Sequence, residues 1–208
     1  MLNILRLFIG FAAILAVGPL AAADTVGGIA AAWAAVKFGP ADAPNRRQAA
    51  EAIERDAAAS LAQQDTPAAR VWLANALCLT AEILHSTKSL AKVREAREVL
   101  LAAEQVSPEN PAVLVLLGSL YYEVPGWPIG FGDRKKARAY LSRALAADPA
   151  GRDTNYFMGD FMIATGHPLE AIAYLEKALA APQQDDPIDR GRRAEITADL
   201  AKAKTKTR

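Results

Sequence analysis

Few side chains in this 208-residue chain could carry out chemistry: two histidines, one cysteine and scattered carboxylates. Neither His85 nor His167 has a second His, Cys or carboxylate at metal-ligand spacing, so capping or solvated roles are expected for both. Cys78 cannot form a disulfide within the chain, and its apolar surroundings predict a buried, inert thiol. The sequence therefore predicts no metal site and no cofactor.

The carboxylates also do not form a recognisable catalytic motif. The aspartates of residues 185–189 lack the glycine and the spacing of a calcium loop, which predicts a solvated linker. Asp133 precedes a basic helical segment and is predicted to be its N-cap. A site built from distant residues such as Asp133, Tyr122 and Asp160 stays open, but there is no phosphate-binding loop or nucleophile elbow. No catalytic residue is predicted, and a non-enzymatic protein is favoured.

Charge and composition restrict the possible partners and the size of the fold. There are 24 Lys+Arg against 23 Asp+Glu, whereas a nucleic-acid binder needs a strongly basic face, so nucleic acid is excluded as a partner. Hydrophobic residues make up 52% of the chain, enough to bury a core. The length suits one domain or one small array.

The N-terminus has the order of a secretory signal. A single charge in Met1–Arg6 precedes the apolar segment Leu7–Leu20, and three alanines end at Ala23. A membrane anchor is the alternative, although the uncharged run of residues 7–23 is short for a span and contains Gly-Pro. We expect a signal peptide over residues 1–23, a periplasmic mature protein, and no stable membrane anchor after cleavage.

Internal self-similarity is the strongest signal in the chain. A small–large–small pattern recurs at intervals of 41 and 34 residues and is followed twice by a proline at the same offset. Residues at i, i+4 and i+7 lie on one face of a helix, so each unit is predicted to be a helix-turn-helix that hides its apolar stripe by stacking. The positions are Ala96, Leu100, Ala103 and Pro108, then Ala137, Leu141, Ala144 and Pro149, then Ala171, Leu175 and Ala178.

This pattern resembles the tetratricopeptide repeat, with its signature W-x2-L-G-x2-Y, then A-x3-F and a closing proline. Gly118, Tyr121 and Gly159 match the signature, while Asn155 replaces an expected large residue. The resemblance covers Pro67–Pro182. It implies an all-α solenoid of stacked helix-turn-helix repeats, which we expect to contain seven to eight helices and no strand.

The chain is predicted to divide into a signal peptide and three further parts. Residues 24–66 form a degenerate helix pair, and residues 67–182 form three tetratricopeptide-like repeats. Two of these repeats are expected to have long loops between their helices, at residues 123–133 and around residues 85–89. Residues 183–208 form a capping helix and a basic tail, either flexible and attracted to acidic surfaces or simply a solvated helix.

The resemblance also implies where a partner binds. In the tetratricopeptide family, partners usually lie on the concave side, which the first helix of each pair lines. The loop of residues 125–133 is rich in Gly, Pro and aromatic residues, which fits either packing or recognition. The candidate binding residues on the face and the loop are Arg70, Leu73, Tyr122, Trp127, Phe131, Tyr156 and Asp160.

Two functions are consistent with these features. The first is an exported, non-enzymatic scaffold that binds a partner protein or peptide in its groove. The second follows from a similarity of the loop and the following helix, Lys135–Ala147, to the T-component of TRAP transporters. That similarity implies a transporter-associated component that docks a solute-binding protein or binds a small apolar ligand.

Overall fold

A computed structural model describes residues 26–84 and 86–206, without the side chain of Thr87. The predicted signal peptide and His85 lie outside the described residues. Nine α-helices and no strand are present in the described part, so the all-α prediction is confirmed. The expected number of seven to eight helices was too low, because the two N-terminal segments, the three repeats and the closing segment all form complete helices.

The helices divide between two compact units, with the boundary between Val106 and Ser107. The N-terminal unit holds α1 to α4, and the C-terminal unit holds α5 to α9. Their bounds are α1 Val26–Lys37, α2 Arg46–Gln63, α3 Pro67–Leu84, α4 Thr87–Val106, α5 Pro111–Glu123, α6 Arg134–Ala147, α7 Arg152–Ala164, α8 Pro168–Ala180 and α9 Pro187–Lys206.

In the N-terminal unit, aromatic residues fasten α1 to α3. The Trp33 indole Nε1 donates a hydrogen bond to the Asn75 carbonyl at 3.1 Å. The Trp33 ring lies edge-on to the Trp72 ring, with 6.0 Å between the ring centroids.

Leu100 of α4 is completely buried, as the repeat pattern predicts. Cys78 was predicted to be buried but is half-buried, because it lies toward the edge of the buried face of α3.

The predicted long loop near residues 85–89 is wrong. Helix α3 continues to Leu84 and α4 begins at Thr87, so the connection is residues 85–86. The extra length of this repeat is taken up by its helices, which have 18 and 20 residues. The segment contains no Gly or Pro to interrupt them. Ser89 tightens the turn, since its Oγ accepts from the Ser86 N–H at 3.2 Å and donates to the Ala81 carbonyl at 2.8 Å.

In the C-terminal unit, glycine allows the two helices of each repeat to pack closely. A Cβ at Gly118 would lie 2.7 Å from Leu141 Cγ, and one at Gly159 would lie 2.9 Å from Leu175 Cγ. Both leucines are completely buried. The predicted pattern of small and large residues is therefore the packing contact within the repeats.

Asn155, the departure from the repeat signature, has a specific role. It is completely buried, and its Nδ2 donates to the carbonyls of Pro149 at 3.0 Å and Gly151 at 2.7 Å. These bonds hold the turn between α6 and α7 against the buried face of α7. A polar residue is accommodated here because the two hydrogen bonds of its Nδ2 to the turn offset part of its desolvation.

The linker prediction for Asp189 is wrong, although the neighbouring Asp185 is fully exposed. Asp189 is completely buried and accepts hydrogen bonds from Arg152 of α7 and, at 2.7 Å, from Arg193 of α9. Burial disfavours ionisation, but the two guanidinium groups outweigh it and lower the pKa of this carboxyl. Arg193 also donates to the Leu179 carbonyl at 2.8 Å. The start of α9 is thus fixed to the last repeat.

Candidate interaction surface

The loop between α5 and α6, residues 124–133, is closed by its own hydrogen bonds. The Gly132 N–H donates to the Pro125 carbonyl at 2.9 Å, and the Asp133 N–H donates to the Tyr121 carbonyl at 2.7 Å. A Cβ at Gly132 would overlap the Val124 carbonyl oxygen, so this close approach requires glycine. The long loop predicted for this repeat is present between α5 and α6.

The two aromatic residues of the loop have different surroundings. Phe131 is half-buried and packs against the core of the C-terminal unit. Its ring lies edge-on to that of Tyr121, with 5.7 Å between the ring centroids. Trp127 is 90% exposed, and the neighbouring Ile129 is 46% exposed. Packing and recognition, the two roles considered for this loop, therefore fit different residues. Phe131 packs against the core, whereas Trp127 points into solvent.

Asp133 is the N-cap of α6, as the sequence predicts. Its carboxylate accepts hydrogen bonds from the backbone N–H groups of Lys135 at 2.9 Å and Lys136 at 3.1 Å. The backbone of Asp133 is extended, which is the usual geometry of an N-cap. The carboxylate is thus engaged by the helix and is not joined to Tyr122 and Asp160.

Tyr122 and Asp160, predicted to lie on one face, are in contact. The Tyr122 hydroxyl donates to Asp160 Oδ2 at 2.6 Å and links α5 to α7. Burial of Tyr122, followed by the negative charge of Asp160, raises the pKa of the phenol well above its usual value. The phenol therefore stays protonated at neutral pH, which suits a hydrogen-bond donor and not a nucleophile or base.

Tyr156, on the same helix as Asp160, is largely covered by α9. It is only 5% exposed, because the Arg192 guanidinium carbon lies 4.8 Å from its ring centroid and 4.8 Å from that of Phe157. The Tyr156 hydroxyl donates to Asp199 Oδ2 of α9 at 3.4 Å. The closing helix thus occupies the surface that the repeat pattern predicts for a partner at this position.

Sequence reasoning missed Arg192 and Asp199. Both lie in the segment predicted to be a cap and a basic tail, and no motif marks them. Asp199 is completely buried, so desolvation, with Asp160 adding negative charge, raises its pKa to about 6. Only the helical periodicity of Asp189, Arg192, Ile196 and Asp199 indicates that these residues share one buried face.

The two remaining candidate residues lie in the N-terminal unit. Arg70 forms a paired contact with Asp65, with Nε to Oδ1 at 2.6 Å and Nη2 to Oδ2 at 2.5 Å. These bonds raise the pKa of Arg70 and lower that of Asp65. Leu73 is 7% exposed. Neither side chain therefore offers a large accessible contact area, since one is engaged locally and the other is buried.

His167 occupies the N-cap position of α8, and its Nδ1 lies 3.2 Å from the Thr165 hydroxyl. Within residues 26–84 and 86–206, no group of three His, Cys, Asp or Glu side chains is arranged to hold a metal ion. None of the helices in these ranges is sufficiently long and apolar to cross a bilayer.

Comparisons with known proteins agree with the helical repeat. Residues 129–195 match the family described as tetratricopeptide repeat. The crystal structure of a thermophilic TPR protein of Thermus thermophilus is similar to this chain, with 19% sequence identity and a TM-score of 0.59 over 84% of this chain and 89% of that one. No curated protein matches the sequence significantly. The tetratricopeptide resemblance is confirmed, whereas the similarity to the TRAP T-component is not shown.

Proposed function

We propose that this chain, which carries tetratricopeptide repeats over residues 129–195, is an exported, non-enzymatic scaffold that binds a partner protein or peptide. Stacked helix pairs of this kind provide a rigid surface that suits protein interaction. The observation that carries the proposal is the exposure of Trp127, which is 90% exposed on a closed, hydrogen-bonded loop.

The loop is suited to presenting an anchor residue. Burying a tryptophan removes about 200 Å² of mostly apolar surface from water, which corresponds to a gross gain of about 5 kcal/mol. The hydrogen bonds of Gly132 and Asp133 already fix the backbone, so binding orders little more than the Trp127 side chain. Aromatic residues presented in this way are common hot spots of protein interfaces.

The pair Tyr122–Asp160 extends the proposed surface from the loop onto the first helices of the C-terminal unit. Tyr122 directly follows Tyr121, whose carbonyl closes the loop through Asp133. The pair is half-buried and offers a carboxylate acceptor beside aromatic surface. Protonation of the Tyr122 phenol and engagement of Asp133 as a cap support a binding role over a catalytic one.

Site-specific photocrosslinking in intact cells tests the binding site. We would place benzoylphenylalanine at Trp127 and, as a matched control, at Leu169, which is 72% exposed on α8 of the same unit. We expect a discrete adduct from position 127 and none from position 169. Purified wild-type protein should compete for the captured partner, and Trp127→Ala protein should not.

The same experiment can refute the assignment. Identical adducts from both positions, or equal competition by Trp127→Ala protein, would remove Trp127 from the binding site. Mass spectrometry of the adduct separates the two functions considered from the sequence. A periplasmic solute-binding protein would favour the transporter-associated component, and any other protein would favour the general scaffold.

Export is proposed on the sequence of residues 1–23 alone, with its early Arg6, apolar segment and terminal Ala23. Fractionation of cells that express the full chain should place the protein in the periplasm. Sequencing of its N-terminus should then begin at Asp24. Recovery of the uncleaved chain in the cytoplasmic or membrane fraction would contradict export by a cleaved signal.

A further inference from the structure

The charge on α6 is unusual for this protein. The chain as a whole is nearly neutral, with 24 basic and 23 acidic residues. The 14-residue sequence of α6, RKKARAYLSRALAA, contains five basic residues and no acidic one. Arg134, Lys135, Lys136 and Arg138 are all exposed at its beginning. This end of the helix therefore bears a concentrated positive charge directly after the loop that presents Trp127.

Helix stability does not explain this charge. Cations near the start of a helix oppose its dipole, and like charges four residues apart, such as Arg134 and Arg138, repel each other. Helices α7, α8 and α9 of the same unit carry Asp153, Glu170 and Asp189 in their first turns. The exposed cations Arg134, Lys135 and Arg138 near the start of α6 thus act against the stability of this helix, which favours a role outside the helix itself.

The attraction comes from the side chains and not from the end of the helix. Asp133 already accepts from the backbone N–H groups of Lys135 and Lys136, so these donors are not available to a ligand. Lys136 extends over the Tyr121 ring, with Nζ 5.4 Å from the centroid. A positive stripe along α6 is formed by Arg134, Lys135 and Arg138. Arg138 follows Arg134 by four residues and Lys135 by three, so the three side chains lie on neighbouring positions of the helix surface.

The apolar tip of the loop and the basic stripe both start from the hydrogen-bonded base of the loop, so they are close together. Trp127 lies two residues after Pro125, and Arg134 lies two residues after Gly132, while Pro125 and Gly132 are hydrogen-bonded to each other. The Trp127 and Arg134 backbones are thus at most about 20 Å apart, a span of roughly six extended residues. One short polypeptide segment could contact both.

We propose that the loop–α6 surface (Trp127, Ile129, Arg134, Lys135 and Arg138) recognises an acidic partner segment that contains one large apolar side chain. The apolar side chain packs against Trp127 and Ile129, and the flanking carboxylates pair with the stripe. This inference rests on the proposed function and specifies the chemistry of its partner. A linear stripe along a helix fits a polypeptide better than a lipid surface, which would be matched by cations surrounding the tip.

Binding of synthetic peptides to the purified full chain tests the proposal. The probes are three fluorescein-labelled 12-residue peptides: one of Glu and Ser with a central Phe, one with Ala in place of Phe, and one with Lys in place of Glu. By anisotropy at 50 mM NaCl, we expect the first to bind, the Ala peptide to bind at least fivefold more weakly, and the Lys peptide not to bind. Affinity should fall about tenfold by 300 mM NaCl, because screening weakens the ion pairs.

Charge reversal provides a test that unfolding cannot imitate. The double variant Lys135→Glu/Arg138→Glu should lose at least tenfold in affinity for the acidic Phe peptide. Its melting temperature should be equal to or higher than that of the wild type, since acidic residues near the start of α6 favour the dipole. The matched control is Lys177→Glu/Lys206→Glu, which reverses two exposed cations of α8 and α9 and should stay within twofold of the wild type.

Several results would overturn the inference. These are equal binding of the Lys peptide, unchanged affinity in Lys135→Glu/Arg138→Glu, or no binding of the acidic Phe peptide. Stronger binding to vesicles of phosphatidylcholine and phosphatidylglycerol at 3:1, with a fluorescence blue shift that Trp127→Phe abolishes, would assign the surface to a membrane instead. If photocrosslinking at Trp127 captures a partner whose binding is independent of salt, the scaffold function stands and only its acidic preference fails.

Discussion

The two complete repeats of the C-terminal unit, α5–α6 and α7–α8, share their packing and differ in what they present to solvent. Leu141 and Leu175 are completely buried against Gly118 and Gly159 in equivalent contacts. The first repeat has the connection of residues 124–133, whereas Thr165, Gly166 and His167 alone join α7 to α8. Helix α6 has no acidic residue, while α8 has two. The packing contact thus tolerates large changes in loop and charge, and these changes are where recognition can arise.

The largest expected effect tests whether the two packing contacts are equivalent. Leu141→Ala and Leu175→Ala should each lower the free energy of unfolding by about 2–5 kcal/mol, because each leaves a cavity against a neighbouring helix. Urea denaturation of the full chain measures both. Since the contacts have the same geometry, the two losses should agree within about 1 kcal/mol. A much smaller loss for Leu141→Ala would show that the long loop relaxes the first contact.

The packing contacts were predictable from sequence because they repeat. Ala137, Leu141 and Ala144 recur with the spacing of a helix face, and a regular period needs no knowledge of tertiary structure. The α3–α4 connection was not predictable from the repeat, since extra residues can lengthen either a loop or two helices. Only the absence of Gly and Pro between Leu84 and Thr87 distinguishes these outcomes.

The candidate surface was only partly predictable. Helical spacing placed Tyr122 and Asp160 on one face. In the structure the Tyr122 hydroxyl donates a hydrogen bond to Asp160 Oδ2 at 2.6 Å. The covering of Tyr156 by Arg192 was not foreseen, because it depends on how α9 docks against α7. The exposure of Trp127 also follows from the folded path of its loop and not from its composition.

The next effect compares two tyrosine–aspartate links, one between α5 and α7 and the other between α7 and α9. Tyr122 donates to Asp160 at 2.6 Å, whereas Tyr156 donates to the completely buried Asp199 at 3.4 Å. Burial raises the pKa of Asp199 to about 6, so the folded protein holds more protons than the unfolded chain between about pH 4 and pH 6. The stabilising contribution of this group is therefore fully present below about pH 4 and is lost as the pH rises through 6.

Asp199→Asn should remove this pH-dependent loss and raise the stability at pH 7 by up to about 3 kcal/mol. Urea midpoints measured from pH 4 to pH 8 for wild type and variant provide the test. Tyr156→Phe removes the hydroxyl donor but keeps the Asp199 carboxyl. The free energy of unfolding of this variant should therefore still fall between pH 4 and pH 8. Parallel profiles for Asp199→Asn and wild type would show that Asp199 does not titrate as proposed.

A smaller effect concerns the glycines at the packing contacts. A Cβ at Gly118 or Gly159 would lie within 3 Å of a buried leucine Cγ, which costs about 1–3 kcal/mol of strain. Alanine also favours the helix by about 1 kcal/mol, so Gly118→Ala and Gly159→Ala should each lose up to about 2 kcal/mol net. Gly27→Ala is the control, because a Cβ there meets no atom of residues 26–84 and 86–206 within 4 Å, and it should stabilise α1 slightly. A gain from either C-terminal variant would contradict close packing as the reason for glycine.

The smallest expected effect separates presentation from packing. Trp127 and Leu169 are the most exposed large apolar residues of the two repeats, at 90% and 72% exposure. Because neither contributes much buried area, Trp127→Ala and Leu169→Ala should each change the free energy of unfolding by no more than about 0.5 kcal/mol. Only Trp127→Ala should reduce binding of the acidic Phe peptide, by at least fivefold. If Trp127→Ala destabilised the chain by 2 kcal/mol or more, the tryptophan would belong to the fold, and the difference between the two repeats would be one of packing after all.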